Sequence, residues 1–207
     1  MEKLGVIGVG KLGLCFALSL EKVGYQVIGL DLSDDYVKSL NEKTFTTTEP
    51  KVTEYLKNSK NFFATTSIQD LKDCNTVFVL VATPSDKYGR YDTTQIDAAL
   101  NSLCSLGRQS TTKHLVICCT VMPGTIEKYQ NSLIEFNWDV SYNPEFIAQG
   151  SVIENQENPD MILIGQANLV RGFQLEEIYK KLCKNEPVFA KMKPISAEIT
   201  KIGLNSF

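Results

Sequence analysis

Lys201 and Asn205 stand four residues apart in "SAEITKIGLNSF", residues 196–207. On a helix that spacing projects both side chains from one face. Taken alone, the pair reads as a solvated lysine beside an asparagine on a helix, and only further motifs can give it a chemical task. A second set lies near the start of the chain, in "LGVIGVGKLG", where Gly8, Gly10 and Gly13 fall between a strand pattern and a helix pattern. Asp31 follows at close to the roughly 20-residue spacing of a ribose carboxylate. The glycines have separate tasks. Gly8 allows a tight turn, Gly10 lets the backbone approach a pyrophosphate, and Gly13 lets the helix pack on the strand. The backbone from Val9 through Lys11 and Leu12 then presents helix N-terminal N–H groups to the phosphates. Asp31 would accept hydrogen bonds from the ribose hydroxyls and repel a 2′-phosphate, and no arginine follows in "DLSDD". The expected cofactor is NAD.

Three further strand ends carry turns: Thr83-Pro84 in "VFVLVATPSD", Thr120 with Pro123-Gly124 in "LVICCTVMPGT", and Asn143-Pro144-Glu145 in "DVSYNPEFIAQGS". Ligands of open α/β sheets sit beyond the carboxyl ends of the strands, so these turns and the glycine loop outline one crevice. The elements that must position them alternate. Strands are predicted at 4–9, 26–30, 62–64, 76–82, 114–120, 140–142, 161–165 and 187–190. Helices are predicted at 11–23, 34–42, 52–58, 94–106, 125–136, 173–183 and from 196 onward. "TVFVLVA" and "HLVICCT" are apolar on both faces, the pattern of a parallel sheet covered on both sides. The expected fold class is α/β, a doubly wound, predominantly parallel, Rossmann-like sheet that ends in the start of a long helix. The expected domain division is residues 1–193 for the dinucleotide-binding domain and 194–207 for the beginning of a connector helix.

The composition of the 207 residues is 43% hydrophobic and 22% charged, with a net charge of −3. No basic run favours nucleic acid, and no apolar stretch approaches the roughly 20 residues of a membrane span. The start, "MEKLGVIGVG", has no signal-peptide pattern and leads directly into a strand. Six cysteines, none in a C-x-x-C pair, read as buried free thiols in a reducing cytoplasm, with no metal site. The single histidine, His114, opens a predicted strand at the end away from the crevice, as a surface or hydrogen-bonded residue.

Taken in order, these motifs resemble the UDP-glucose/GDP-mannose dehydrogenases over essentially the whole chain. "VATPSD" resembles the family's V-x-T-P turn and "CTVMPGT" its S-T-V-x-P-G-T. "NPEFIAQGSVIENQENPDMILIG" is similar to N-P-E-F-L-x-E-G-x-A…P-D-R-x-x-x-G, and "AEITKIGLNSF" to A-E-x-x-K-x-x-x-N-x-F. The resemblance implies oxidation of the C6 alcohol of a nucleotide sugar to a carboxylate by two hydride transfers to NAD. A cysteine thioester is hydrolysed at the end, and that cysteine is supplied by a second domain beyond the connector helix. The chain reads as the N-terminal half of such an enzyme, homodimeric at full length and incomplete on its own. By position, Thr120, Glu145, Lys201 and Asn205 would be catalytic. Gly8, Val9, Gly10, Lys11, Leu12, Gly13, Asp31, Thr83 and Thr120 would hold NAD. Glu145, Phe146, Ile147, Lys201 and Asn205 would contact the sugar nucleotide.

Four positions depart from the family pattern: Tyr36 where Lys or Arg often follows the ribose aspartate, Cys119 for serine, Gln149 for glutamate and Met161 for arginine. N-P-E-F-I with Gly150 looks more like the UDP-glucose enzymes than the GDP-mannose ones, where serine is usual, or the UDP-N-acetylhexosamine types with P-E-R. Two other readings stand beside this one. One is a stand-alone NAD-binding module without catalysis. The other is a lysine-dependent 3-hydroxyacid dehydrogenase, which also uses lysine and asparagine on a helix but lacks N-P-E-F after the sixth strand.

Overall fold

The computed structural model describes residues 1–147 and 150–205. Gln149, and Phe207 as a further apolar position of the last helix, lie outside them. Eight strands form one sheet: β1 Lys3–Ile7, β2 Gln26–Leu30, β3 Phe62–Thr65, β4 Thr76–Val79, β5 Lys113–Ile117, β6 Trp138–Tyr142, β7 Met161–Gly165 and β8 Val188–Met192. Their order is β3-β2-β1-β4-β5-β6-β7-β8, and every neighbouring pair is parallel except β6 and β7. The chain builds outward from β1 to β3 and then crosses to β4. That reversal opens the crevice at the carboxyl ends of β1 and β4.

Among the described residues eight α-helices accompany the sheet: α1 Lys11–Lys22, α2 Asp34–Asn41, α3 Val52–Asn58, α4 Thr94–Cys104, α5 Thr125–Leu133, α6 Val152–Glu157, α7 Leu169–Leu182 and α8 Pro194–Asn205. Side chains alternate across each strand, so the sheet carries a core on either face. Leu4, Val6, Phe78 and Val116 pack with Leu14 and Phe16 of α1, Leu56 of α3 and Tyr179 of α7. Val77, Val79, Leu115 and Ile117 pack with Ile96 of α4, Tyr129 of α5 and Ala197 of α8.

Three central strands end two or three residues earlier than predicted: at Ile7, Val79 and Ile117. Their last ladder bonds run from Gly8 N to Leu30 O, Leu80 N to Ile7 O, and Cys118 N to Val79 O. Near and beyond these ends, Val9, Val81, Cys118 and Cys119 are apolar for another reason: Val9 and Cys118 join the first core, Cys119 the second, and Val81 packs against the second. Helix α6 is absent from the sequence reading because "VIENQE" is short and mixed in polarity. Helix α7 starts four residues early at Leu169, where Asn168 caps it by accepting from Arg171 N at 3.0 Å. Its first turn leaves Leu169, Val170 and Phe173 exposed, which hid the helical period. Strand β8 is shifted to Val188–Met192, and α8 begins at Pro194 rather than Ser196, proline being well suited to a first helical position.

The reversed direction of β7 sets the course of α8. Strands β6 and β7 meet only at Tyr142 and Gly165, and α8 packs beside Gly165 through Pro194 and Ala197. Glu198, fully buried, accepts from Gly124 N (2.7 Å) and Ile126 N (2.8 Å) at the start of α5. From that anchor the next turn of α8 carries Lys201 past the end of β6 to Glu145.

Candidate active site at the carboxyl edge

Two cavities of 230 Å³ each meet at Val81. The first is bounded by Gly8, Asp31, Leu32, Gln95 and Ala99. Its walls are mostly apolar, and Asp31 supplies the carboxylate at its edge, one oxygen accepting from Ser33 N at 3.3 Å. The second is bounded by Leu12, Thr83, Cys118, Cys119, Thr120 and Glu145. The turns after β1, β4, β5 and β6 therefore converge as the strand-end argument requires.

The glycine turn fits a dinucleotide. Gly8 has φ +87°, and a Cβ there would lie 2.6 Å from Leu80 O. A Cβ on Gly13 would lie 1.9 Å from Gly8 O, so α1 packs on the turn only without one. At Gly10 a Cβ would meet nothing within 4 Å, which leaves the backbone open to a phosphate. No side chain caps α1 at Gly10, so its first N–H groups face outward for an anion. Tyr36 braces this turn instead of offering a cation: its hydroxyl donates to Val9 O at 2.8 Å, and its ring meets Phe45 edge-on at 5.1 Å. Together with Gly10, Lys11 and Glu49 it bounds a separate 240 Å³ cavity.

At the other end Lys201, 4% exposed, donates to Glu145 O (2.6 Å) and to Asn205 Oδ1 (3.0 Å). Its ammonium also lies 4.1 Å from the centre of the Phe146 ring. Burial lowers the Lys201 pKa, and the nearby Glu145 carboxyl opposes that shift. Glu145 moves the other way. Burial raises its pKa to about 7, against the opposing pull of Lys201 and Gln156. Glu145 thus lies near its midpoint at neutral pH, a condition suited to passing a proton. The turn is held rigid by Asn143, whose Nδ2 donates to Leu163 O (2.9 Å) and whose Oδ1 accepts from Tyr179 (2.5 Å). Phe146 and Ile147 border a further cavity of 370 Å³ on the far side of Glu145.

Residues 2–183 match the model of the UDP-glucose/GDP-mannose dehydrogenase family, NAD binding domain. The chain belongs to this family. As an NAD-binding domain of it, the chain has NAD as its cofactor. It is 30% identical over 207 residues to the UDP-glucose 6-dehydrogenase of Rickettsia bellii, covering 97% of this chain and 47% of that protein. It is 32% identical over 209 residues to an uncharacterised protein of Methanocaldococcus jannaschii, covering 99% of this chain and 23% of that one. The crystal structure of a ternary complex of GDP-mannose dehydrogenase from Pseudomonas aeruginosa superposes with a TM-score of 0.89 at 27% identity, covering 98% of this chain and 49% of that one. The chain spans at most about half the length of these relatives.

Against the sequence reading, the structure brings Gly8 and Asp31 together at one cavity and Leu12, Thr83, Thr120 and Glu145 at the next. It pairs Lys201 with both Asn205 and the Glu145 backbone. Phe146 lies under the Lys201 ammonium. Val9 faces the core, and its carbonyl accepts from the Tyr36 hydroxyl. His114 is fully buried at the opposite edge, beside Ser141 Oγ at 2.8 Å, so it is the hydrogen-bonded alternative that holds and not the surface one. Glu198 and Gln156 were not singled out in the sequence, and Asn143 was read there only as part of a turn. Glu198 lies inside the A-E-x-x-K motif, and that motif was the available signal for it. All six cysteines are free. Among the described residues no cluster could hold a metal, and no helix is long and apolar enough to cross a membrane.

Proposed function

We propose that this chain is the NAD-binding half of an enzyme that oxidises the C6 alcohol of UDP-glucose, or a closely related nucleotide hexose, to the uronate. The observation that supports the reading is that Thr120 and Glu145 border one cavity with Leu12 and Thr83, while Lys201 holds both Asn205 and the Glu145 carbonyl. Gly8 to Gly13 hold the pyrophosphate and Asp31 the ribose, and Thr83 and Thr120 border the nicotinamide end. Bound NAD supplies the hydride acceptor. Lys201 Nζ and the Asn205 amide bind the C6 oxygen as charge develops on it, in a pocket where burial strengthens that attraction. Glu145 accepts a proton from the water that completes the reaction, its raised pKa making it the better base and keeping it near enough to neutral pH to release that proton afterwards. Phe146 and Ile147 contact the sugar. N-P-E-F-I followed by Gly150 supports UDP-glucose.

The nucleotide grip and the trapping cysteine belong to the remainder of the full-length protein, together with its dimer contact. Without that remainder the sugar C6 is not held near the nicotinamide, and the rate gain from positioning is lost. The purified 207-residue chain is expected to bind NAD and to form no significant NADH with UDP-glucose or other nucleotide sugars, followed by absorbance. Sustained turnover would overturn the half-enzyme reading and return Cys118 and Cys119 to candidacy as nucleophiles.

A further inference from the structure

The 370 Å³ cavity beyond Glu145 is bounded by Asn143, Met161, Tyr179 and Gln156 of α6. Gln156 is only 3% exposed; neither end of its amide, nor Glu145 Oε1, meets a partner in full hydrogen-bond geometry, yet the amide is near enough to draw the Glu145 pKa down. A buried primary amide left unpaired is costly, and here it faces the same space as an unpaired carboxyl. Several groups around Glu145 have their protons engaged elsewhere. Lys201 on α8 donates to the Glu145 backbone and to Asn205. Tyr179 on α7 donates to Asn143. The Cys118 thiol after β5 donates to Val116 O and the Cys183 thiol after α7 to Gln156 O, both at 3.9 Å. Cys15 on α1 also senses the Glu145 charge, but burial holds its thiol neutral. Gln156 is thus the side chain placed to receive the carboxylate.

We propose that Gln156 is a positioning residue for Glu145: when Glu145 ionises, the Gln156 Nε2–H donates to its carboxylate inside this cavity and fixes the direction in which the other oxygen faces the crevice. The proposal rests on the reading of Glu145 as the proton-carrying group, which is where its functional meaning comes from. The contact itself can be measured without NAD or substrate. It also explains why a polar side chain is sealed into a helix whose neighbours Val152 and Ile153 join the hydrophobic core.

The test is a pH titration of the whole chain by NMR. Side-chain carboxyl carbons of glutamate are labelled, and the Glu145 signal is assigned by its loss in Glu145→Gln. In the unmutated chain the Gln156 side-chain N–H signals should shift with the same midpoint as Glu145. In Gln156→Leu, and in Gln156→Met if the leucine variant fails to fold, the Glu145 midpoint should rise by about one pH unit, a tenfold weaker acid. A neighbouring core change, Ile153→Val, should leave that midpoint in place, as a merely structural role for α6 would require of all three variants. Gln156 amide signals that do not move through the Glu145 transition would overturn the proposal. So would an unchanged Glu145 midpoint in a folded Gln156 variant. Failure of NAD binding would instead count against the functional reading and leave this titration as it was.

Discussion

His114 and Glu145 are both buried ionisable side chains near the ends of strands in one sheet, and both are pushed toward their neutral forms. Burial, helped by the Arg171 cation, lowers the His114 pKa to about 3; burial raises that of Glu145 to about 7. The similarity ends at their surroundings. His114 lies at the amino edge, one ring nitrogen against Ser141 Oγ, which also accepts from Ala167 N at 3.1 Å. Arg171 closes that edge by binding Asp139 (2.8 Å) and Thr112 O (2.7 Å). Glu145 lies at the carboxyl edge between two cavities, with one oxygen unpartnered and a buried lysine beside it. A shifted titration marks burial. Open volume together with a neighbouring cation marks a place where a proton can be used.

The two edges should respond differently to mutation and to pH. The largest effect belongs to Gly13→Ala at the carboxyl edge. Its new methyl would fall on Gly8 O, so α1 must leave the turn. We expect a loss of about 3 kcal/mol of stability and loss of NAD binding, read by denaturant unfolding and calorimetry. Unchanged affinity would mean the glycine turn does not form the cofactor site.

Next is His114. Its folded pKa lies below the ordinary value of 6.5, so the unfolded chain takes up the proton first as pH falls. Stability should decline from about pH 6.5 down to about pH 3, by about 3 kcal/mol at pH 4. His114→Gln should remove that component of the pH dependence while leaving NAD affinity near pH 7 unaltered. A change in affinity would break the distinction between a structural edge and a functional one.

Glu145 has the opposite sign. Its folded pKa lies above the ordinary 4.5, so its favourable contribution is full below pH 4.5 and is lost as pH rises through about 7. Glu145→Gln should therefore stabilise the chain at pH 8 by about 3 kcal/mol, and have little effect at pH 4. Destabilisation at pH 8 would mean that ionising Glu145 costs the folded chain nothing, contrary to its raised pKa.

The carboxyl edge was legible in sequence wherever local chemistry dictated it. The glycine spacing, Asp31, the proline turns and the i,i+4 pair of Lys201 and Asn205 are all short-range signals. The partners that hold those groups were not legible, because they are tertiary. Glu198 reaches α5 from 72 and 74 positions along the chain, and no periodicity announces it. Gln156 sits in a six-residue helix too short to show a period. Helix α8 misleads in another way: Ile199 is 57% exposed while Glu198 and Lys201 are buried. Its polar face points inward because Gly124, Ile126 and the Glu145 carbonyl supply partners there. Ile199 and Leu204 are left outside. Strand ends were overextended for a related reason, since apolar residues that line a crevice look like strand residues.

The central claim is that the carboxyl edge binds NAD through the glycine turn and Asp31. Calorimetric titration of the purified chain with NAD and with NADP, repeated on Asp31→Ala, tests it most directly. The account predicts that NAD binds at least about tenfold more tightly than NADP, a difference of about 1.4 kcal/mol, and that Asp31→Ala weakens NAD and narrows the gap. Equal affinity for the two cofactors in the unmutated chain, or NAD binding indifferent to Asp31, would contradict it.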